Sequence, residues 1–138
     1  MKKILAYIAF SFTAITSYAT TPLWMRDVQI SPDGTEIVFC YKGDIYKVPT
    51  EGGAATQLTT QDSYECTPVW SPDGKQIAFA SDRNGNFDIF VMPANGGTAR
   101  RLTTHSTNEV PATFTPDGKY ILFLSLIHIS EPTRLALI

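Results

Sequence analysis

Long apolar runs, cysteine, histidine and charge are all scarce in this 138-residue chain, and each shortage removes a class of protein. The one sustained apolar stretch, Ile4 to Ile15, falls short of the roughly 20 residues that cross a bilayer as a helix. Two cysteines and two histidines, none of them closely spaced, do not supply the ligand set of a zinc site. Charged residues make up 17 % of the chain and no basic run occurs, so nucleic acid has no electrostatic footing. A nucleophile elbow of the form Gly-x-Ser-x-Gly is missing as well.

The start of the chain reads as an export signal. Lys2 and Lys3 precede the Ile4–Ile15 run, and Ser17-Tyr18-Ala19 places small residues one and three positions before a cut after Ala19. No cysteine follows the run, so a lipid-anchored start is not indicated. Residues 1–19 are therefore expected to be removed, leaving an exported protein, periplasmic or extracellular, without a stable membrane anchor. The remainder carries nine basic and thirteen acidic side chains, a formal charge of −4. Export would bring Cys40 and Cys66 into an oxidising compartment that permits a disulfide. Two buried thiols in neighbouring strands is the preferred reading, because sequence does not supply the Cα separation a bridge requires.

What the chain has in abundance is one turn. Ser-Pro-Asp-Gly stands at Ser31–Gly34 and again at Ser71–Gly74, and Thr-Pro-Asp-Gly stands at Thr115–Gly118. Behind the first two copies, the pairs Gly52-Gly53 and Gly96-Gly97 and the triplets Leu58–Thr60 and Leu102–Thr104 recur at an offset of 44 residues. Unrelated landmarks that keep their order and spacing mark an internal repeat. The first copy connects through "YKGD" where the second has the longer "SDRNGNFD", and a loop is where such a difference is absorbed.

Each landmark has a local cause. Proline presets φ at the second turn position, Asp tolerates the third, and Gly takes the left-handed conformation that closes a hairpin with a bulge. Pro68-Val69-Trp70 and Gln76–Ala80 should be the strands joined by the second copy, with Ile77 and Phe79 on one face and Ala78 and Ala80 on the other. Asn84-Gly85 is the strongest two-residue hairpin signal, because both residues accept positive φ. Asp88–Met92 and Ala99–Thr103 complete a meander of four short strands.

A period in the forties with four antiparallel strands per unit is the signature of a β-propeller blade. The expected fold is all-β, a partial propeller of about two and a half blades. A β-sandwich would carry turn signals without a long-range repeat. A blade is covered on both faces by its neighbours, which accounts for small residues opposite large ones. Terminal faces lined by residues such as Ile121 and Phe123 should lack a neighbour.

The segment "PVWSPDGKQIAFASDRNGNFDIFVMPANGG" resembles the WD40-like repeat of TolB-type propellers, found also in tricorn-type serine peptidases and prolyl-oligopeptidase relatives. The likeness runs from Pro22 to about Phe123. The opening "PLWMRDVQISPDGTEIVFCYKGDIYKVPTEGG" is similar to the first blade of exported bacterial tricorn-like proteases. That resemblance implies further blades, then a PDZ-like segment and a serine-peptidase core. A TolB protein would place an α/β domain before its blades, and none fits between Ala19 and Pro22.

The tail departs from the repeat. Leu124–Arg134, "LSLIHISEPTR", resembles a translated sequencing adapter at eleven consecutive positions. Residues 124–138 are therefore expected to be foreign to the protein, residues 20–123 to be the propeller segment, and the gene to continue past Phe123. This removes His128, Ser130 and Glu131 from any catalytic constellation.

Little chemistry remains in residues 20–123. A Ser-His-Asp set can be assembled on paper from Ser106 or Ser63 with His105 and Asp62, but a triad is defined by geometry and a supported nucleophile. His105 after "LTT" reads as a solvated loop residue. Asp82, Asn84, Asn86 and Asp88 place oxygens at alternate positions, as a calcium loop does. An EF-hand loop, however, needs Gly and Glu where Phe87 and Pro93 stand, so a hairpin is preferred. No catalytic, cofactor-binding or metal-ligating residue is assigned.

Two functional readings follow from the resemblance. One is the propeller of an exported tricorn-like serine peptidase, docking or gating peptides for a catalytic domain downstream. The other is a TolB-like propeller that binds an envelope protein, with the propeller of a prolyl-oligopeptidase-like hydrolase as a further possibility. The expected partners are a peptide or protein substrate or an envelope protein, together with the remaining blades, and no cofactor or nucleic acid. The isolated segment is expected to aggregate or fold only in part.

Overall fold

The computed structural model describes residues 24–126 and 134–137, so the expected signal peptide and most of the tail lie outside the described residues. Every regular element among them is a β-strand. The first sheet contains β1 (Met25–Ile30), β2 (Glu36–Tyr41), β3 (Asp44–Pro49) and β4 (Thr56–Gln57), hydrogen-bonded in that order. The second repeats the arrangement with β5 (Glu65–Trp70), β6 (Gln76–Ser81), β7 (Asp88–Pro93) and β8 (Arg100–Arg101). A third sheet begins with the hairpin of β9 (Asn108–Phe114) and β10 (Ile121–Leu126), and β11 (Arg134–Leu137) pairs with the free side of β10. All pairings are antiparallel.

The turn that repeats in sequence repeats in detail. The Ser31 hydroxyl donates to Asp33 Oδ1 at 2.6 Å and accepts from the Glu36 amide at 2.9 Å, while the Gly34 amide donates to the Ser31 carbonyl at 2.9 Å. Ser71, Asp73, Gly74 and Gln76 reproduce each of these bonds, as do Thr115, Asp117, Gly118 and Tyr120. The glycines sit at φ of 75°, 69° and 69°, where any other residue is strained. A methyl group on Gly74 would lie 3.9 Å from Pro32, and one on Gly118 would lie 3.7 Å from Pro72. Successive turns therefore stack on one rim, each proline beside the next glycine.

The other landmarks hold the outer strand. The Leu58 amide donates to the Ile45 carbonyl at 2.8 Å, and the Thr59 hydroxyl accepts from the Ile45 amide at 2.9 Å. Leu102 and Thr103 do the same for Ile89, at 2.7 and 3.0 Å. The "LTT" triplet thus extends a two-residue strand by pairing side chain and backbone with the strand beside it.

Between sheets the packing is large side chain on small. β5 lies across β1, β2 and β3, and β9 lies across β5, β6 and β7. Ile77, Phe79, Phe90 and Met92 meet Val38, Cys40 and Ile45 in one buried cluster. On the opposite face of the second sheet, Ala78, Val69 and Val91 meet Phe114 and Ile121 in another. Fully burying a side chain such as Phe79 contributes roughly 1.5–3 kcal/mol. Ile37 and Phe39 do not share an interior with Ile77 and Phe79; they face away from the second sheet, as the stacking of blades in a ring requires.

Two expectations are corrected here. Ile121 and Phe123 do not line an uncovered face: both are buried, and Ile121 packs on the second sheet. They are the large residues of their blade, and large residues face the preceding blade, which is present. The second correction concerns hairpins. Asn84-Gly85 does not form a two-residue turn; Asp82–Phe87 is a longer loop in which only Gly85 has positive φ, at 104°. The two-residue hairpin is Lys42-Gly43, at φ of 53° and 92°, between the paired Tyr41 and Asp44.

Candidate functional site

The catalytic candidates are not brought together. His105 Nδ1 lies 3.0 Å from Thr107 Oγ1 in an exposed loop, and the Ser63 hydroxyl donates to Glu65 Oε1. Ser106 and Asp62 are exposed and join neither pair.

Three side chains of the Asp82–Asp88 loop have separate structural partners. Asp82 Oδ1 accepts the Tyr64 amide at 2.7 Å. Asn86 donates through Nδ2 to the carbonyls of His105 and Thr107, at 2.9 and 2.8 Å. Asp88, fully buried, pairs with Arg101. The loop therefore ties the second blade to the start of the third. Among the described residues, no group of three or more His, Cys, Asp or Glu is placed to hold a metal ion.

Cys40 and Cys66 are free thiols. They belong to neighbouring blades, Cys40 on β2 and Cys66 on β5, and both touch the cluster between the first two sheets. Burial raises both thiols, Cys40 well above the ordinary range and Cys66 up to about 11, and the carboxylate of Asp27 adds to both shifts. Such thiols are poor nucleophiles at neutral pH.

Sequence reasoning passed over a buried ionic row. Glu65 is fully buried at the start of β5, and its Oε1 accepts from Ser81 Oγ at 2.9 Å and from Arg83 Nη2 at 3.1 Å. The Arg83 guanidinium lies over Phe90, 4.5 Å from the ring centre. Ser81 stands in register with Glu65 on one side and Asp88 on the other, so the row crosses three strands. Glu109, also buried, is the second residue of β9. A signal existed: Glu65 and Glu109 each stand six residues before their turn.

Two of the concavities among the described residues bear on function. On the face of the first blade turned away from the second, Ile37, Phe39, Tyr46 and Val48 join Met25 and Val28 around an apolar cavity of about 560 Å³, with Phe39 itself buried. At the rim between the first and second blades, Trp24, Arg26, Lys42 and Tyr64 surround a second cavity of about 400 Å³, floored by Cys40 and Gly43.

Four-stranded antiparallel sheets stacked face to face, large side on small, with inner strands β1, β5 and β9 side by side, define a segment of a β-propeller. Residues 22–135 match the family described as "Tricorn protease N-terminal beta propeller domain", and the chain belongs to that family. It is 32 % identical over 96 residues to "Uncharacterized peptidase YuxL" of Bacillus subtilis and 30 % identical over 72 residues to "Dipeptidyl-peptidase 5" of Porphyromonas gingivalis. Those matches cover 62 % and 45 % of this chain but only 13 % and 10 % of the relatives. Among solved structures, a putative TolB from Agrobacterium tumefaciens superposes with a TM-score of 0.74 at 28 % identity, over 86 % of this chain and 47 % of that one. The tricorn protease superposes with a TM-score of 0.62 at 20 % identity, over 83 % of this chain and 12 % of that one, a likeness of fold.

Proposed function

We propose that the chain is the opening segment of the propeller of an exported serine peptidase, in which the closed ring docks or admits peptides and a domain outside this chain cleaves them. The observation that supports this reading best is membership of the tricorn N-terminal propeller family, joined by two relatives whose names are those of peptidases. In this reading residues 1–19 are the signal peptide, residues 20–123 are propeller, and residues 124–138 are foreign to it. The uncovered face of the first blade then belongs against the small-residue face of the last blade. The test is the full-length protein, assayed for peptide hydrolysis and for labelling by a serine-directed fluorophosphonate. Hydrolysis that the probe abolishes is expected; a protein that neither cleaves peptides nor takes up the probe overturns the reading.

A second reading has its own support. The likeness to the putative TolB, at a TM-score of 0.74, favours a propeller that binds a protein at the cell envelope without cleaving it. A full-length sequence with no catalytic domain after its blades would favour this reading.

A further inference from the structure

The repeat isolates what is particular to one seam. Positions that agree between blades build the fold, and positions that differ are free to do something else. Trp24 and Tyr64 stand seven residues before their turns and are both exposed aromatics, at 67 % and 42 %. Two residues after Trp24 the first blade has Arg26, where the second has Cys66 and the third Val110. Lys42 occupies the short hairpin of the first blade, where the second blade has its longer loop. Arg26 and Lys42 are thus additions to the repeated plan, and both line the cavity between the first two blades.

The side chains that line this cavity include two cations and no carboxylate. Among the described residues, Lys47, Lys75, Arg83 and Arg101 pair with carboxylates. Arg26 and Lys42 join no such pair; they lie over the rings of Trp24 and Tyr41, at 5.7 and 5.4 Å. A cation held over an aromatic face keeps its outer side available. The nearby acids do not line the cavity: Asp27 accepts from the Thr67 amide, Asp44 from the Thr59 hydroxyl and Asp82 from the Tyr64 amide, bonds that do not neutralise a carboxylate, and Asp27 acts on the Cys40 thiol at the cavity floor. The aromatic wall is positioned in advance: Tyr64 rests edge-on against Phe87, and its ring packs close over Gly43, where a methyl group would lie 3.1 Å from it.

Resting on the peptide-docking reading above, we propose that this seam binds an acidic side chain next to an apolar one on an extended peptide segment. Arg26 and Lys42 would take the carboxylate, and Trp24 and Tyr64 the apolar neighbour. Both aromatics are exposed, and the carboxylate proposed is that of a side chain, not of a chain end.

The test is calorimetric titration of the full-length protein with peptides blocked at both ends, containing either Glu-Leu or Gln-Leu. Tighter binding of the Glu peptide by tenfold or more is expected, shrinking in 0.5 M salt as screening grows. The double substitution Arg26→Ala with Lys42→Ala should abolish that preference with only a small change in melting temperature, because both side chains are exposed; Arg26→Lys should retain part of it. Equal binding of the two peptides, a preference that survives the double substitution, or binding that depends only on a free C-terminus would each overturn the assignment. Peptides that bind without preferring Glu sink the seam assignment alone, whereas no peptide binding at all sinks the docking reading with it.

Discussion

The first and second blades are built from the same four strands in the same order, yet they are buried very differently. Strand β1 is exposed along its whole length, whereas its counterpart β5 is buried at Glu65, Pro68 and Val69. In β7 every residue before Pro93 is buried, and in β3 only Ile45 is. Even the cross-strand aromatic pair is common to both, Phe39 with Tyr46 and Phe79 with Phe90, each with ring centres 5.9 Å apart. Sequence and local geometry are thus shared, and the difference in burial comes from neighbours. A blade has no interior of its own; its interior is the space between it and the next.

The largest expected effect is on the segment by itself. Residues 20–123 expressed alone should aggregate or melt without a sharp transition, because an apolar face and open strand edges remain unpartnered. A monomeric elution profile with a cooperative thermal transition would break the comparison. Next in size, Phe79→Ala in the full-length protein should cost about 3–5 kcal/mol, the range for deleting a buried aromatic. Urea unfolding of the full-length variant measures the cost, and a loss below about 1 kcal/mol would mean that the seam between the first two blades is loosely packed. Glu65→Ala belongs to the same range, about 3–5 kcal/mol, because it leaves Arg83 without its buried partner.

Smaller effects sharpen the comparison. Thr59→Val and Thr103→Val should each cost about 1–3 kcal/mol, by leaving the amide of Ile45 or Ile89 without its acceptor. Unequal losses would show that the "LTT" triplet acts differently in the two blades. The smallest effects depend on pH. Cys66 keeps its proton up to about 11 in the folded protein, so its contribution to stability is full below the ordinary thiol range and fades as pH climbs toward that value. Thiol labelling at pH 8 should be slow until denaturant is added. The hydroxyls of Ser31, Ser71 and Thr115 lower the carboxyls of Asp33, Asp73 and Asp117. Their contribution is therefore present above the ordinary aspartate range and lost on acidification in all three turns.

Most of the fold was legible because its causes are local. Pro32, Asp33 and Gly34 act within one turn, and the alternation of Ile77, Ala78, Phe79 and Ala80 separates the two faces without reference to the rest of the chain. What was not legible depends on direction around the ring. Nothing in "YILF" says that Ile121 faces backward to a blade already made, so its burial was missed. The seam cavity was hidden for a related reason: Arg26, Lys42 and Tyr64 come from different turns and strands, and only the stacking of one blade on another brings them to a common rim. Asn84-Gly85 misled because Asp82 and Asn86 draw that loop toward other strands, while the shorter Lys42-Gly43 hairpin has no such ties.

The mating of bulky side chains with small ones gives every blade a plug on one side and a socket on the other. Any blade can then accept any sister on either hand, as identical links join a chain. A gene that gained or lost one such unit would yield a wider or narrower circle with its joints intact, so the number of links can drift while the joint stays fixed.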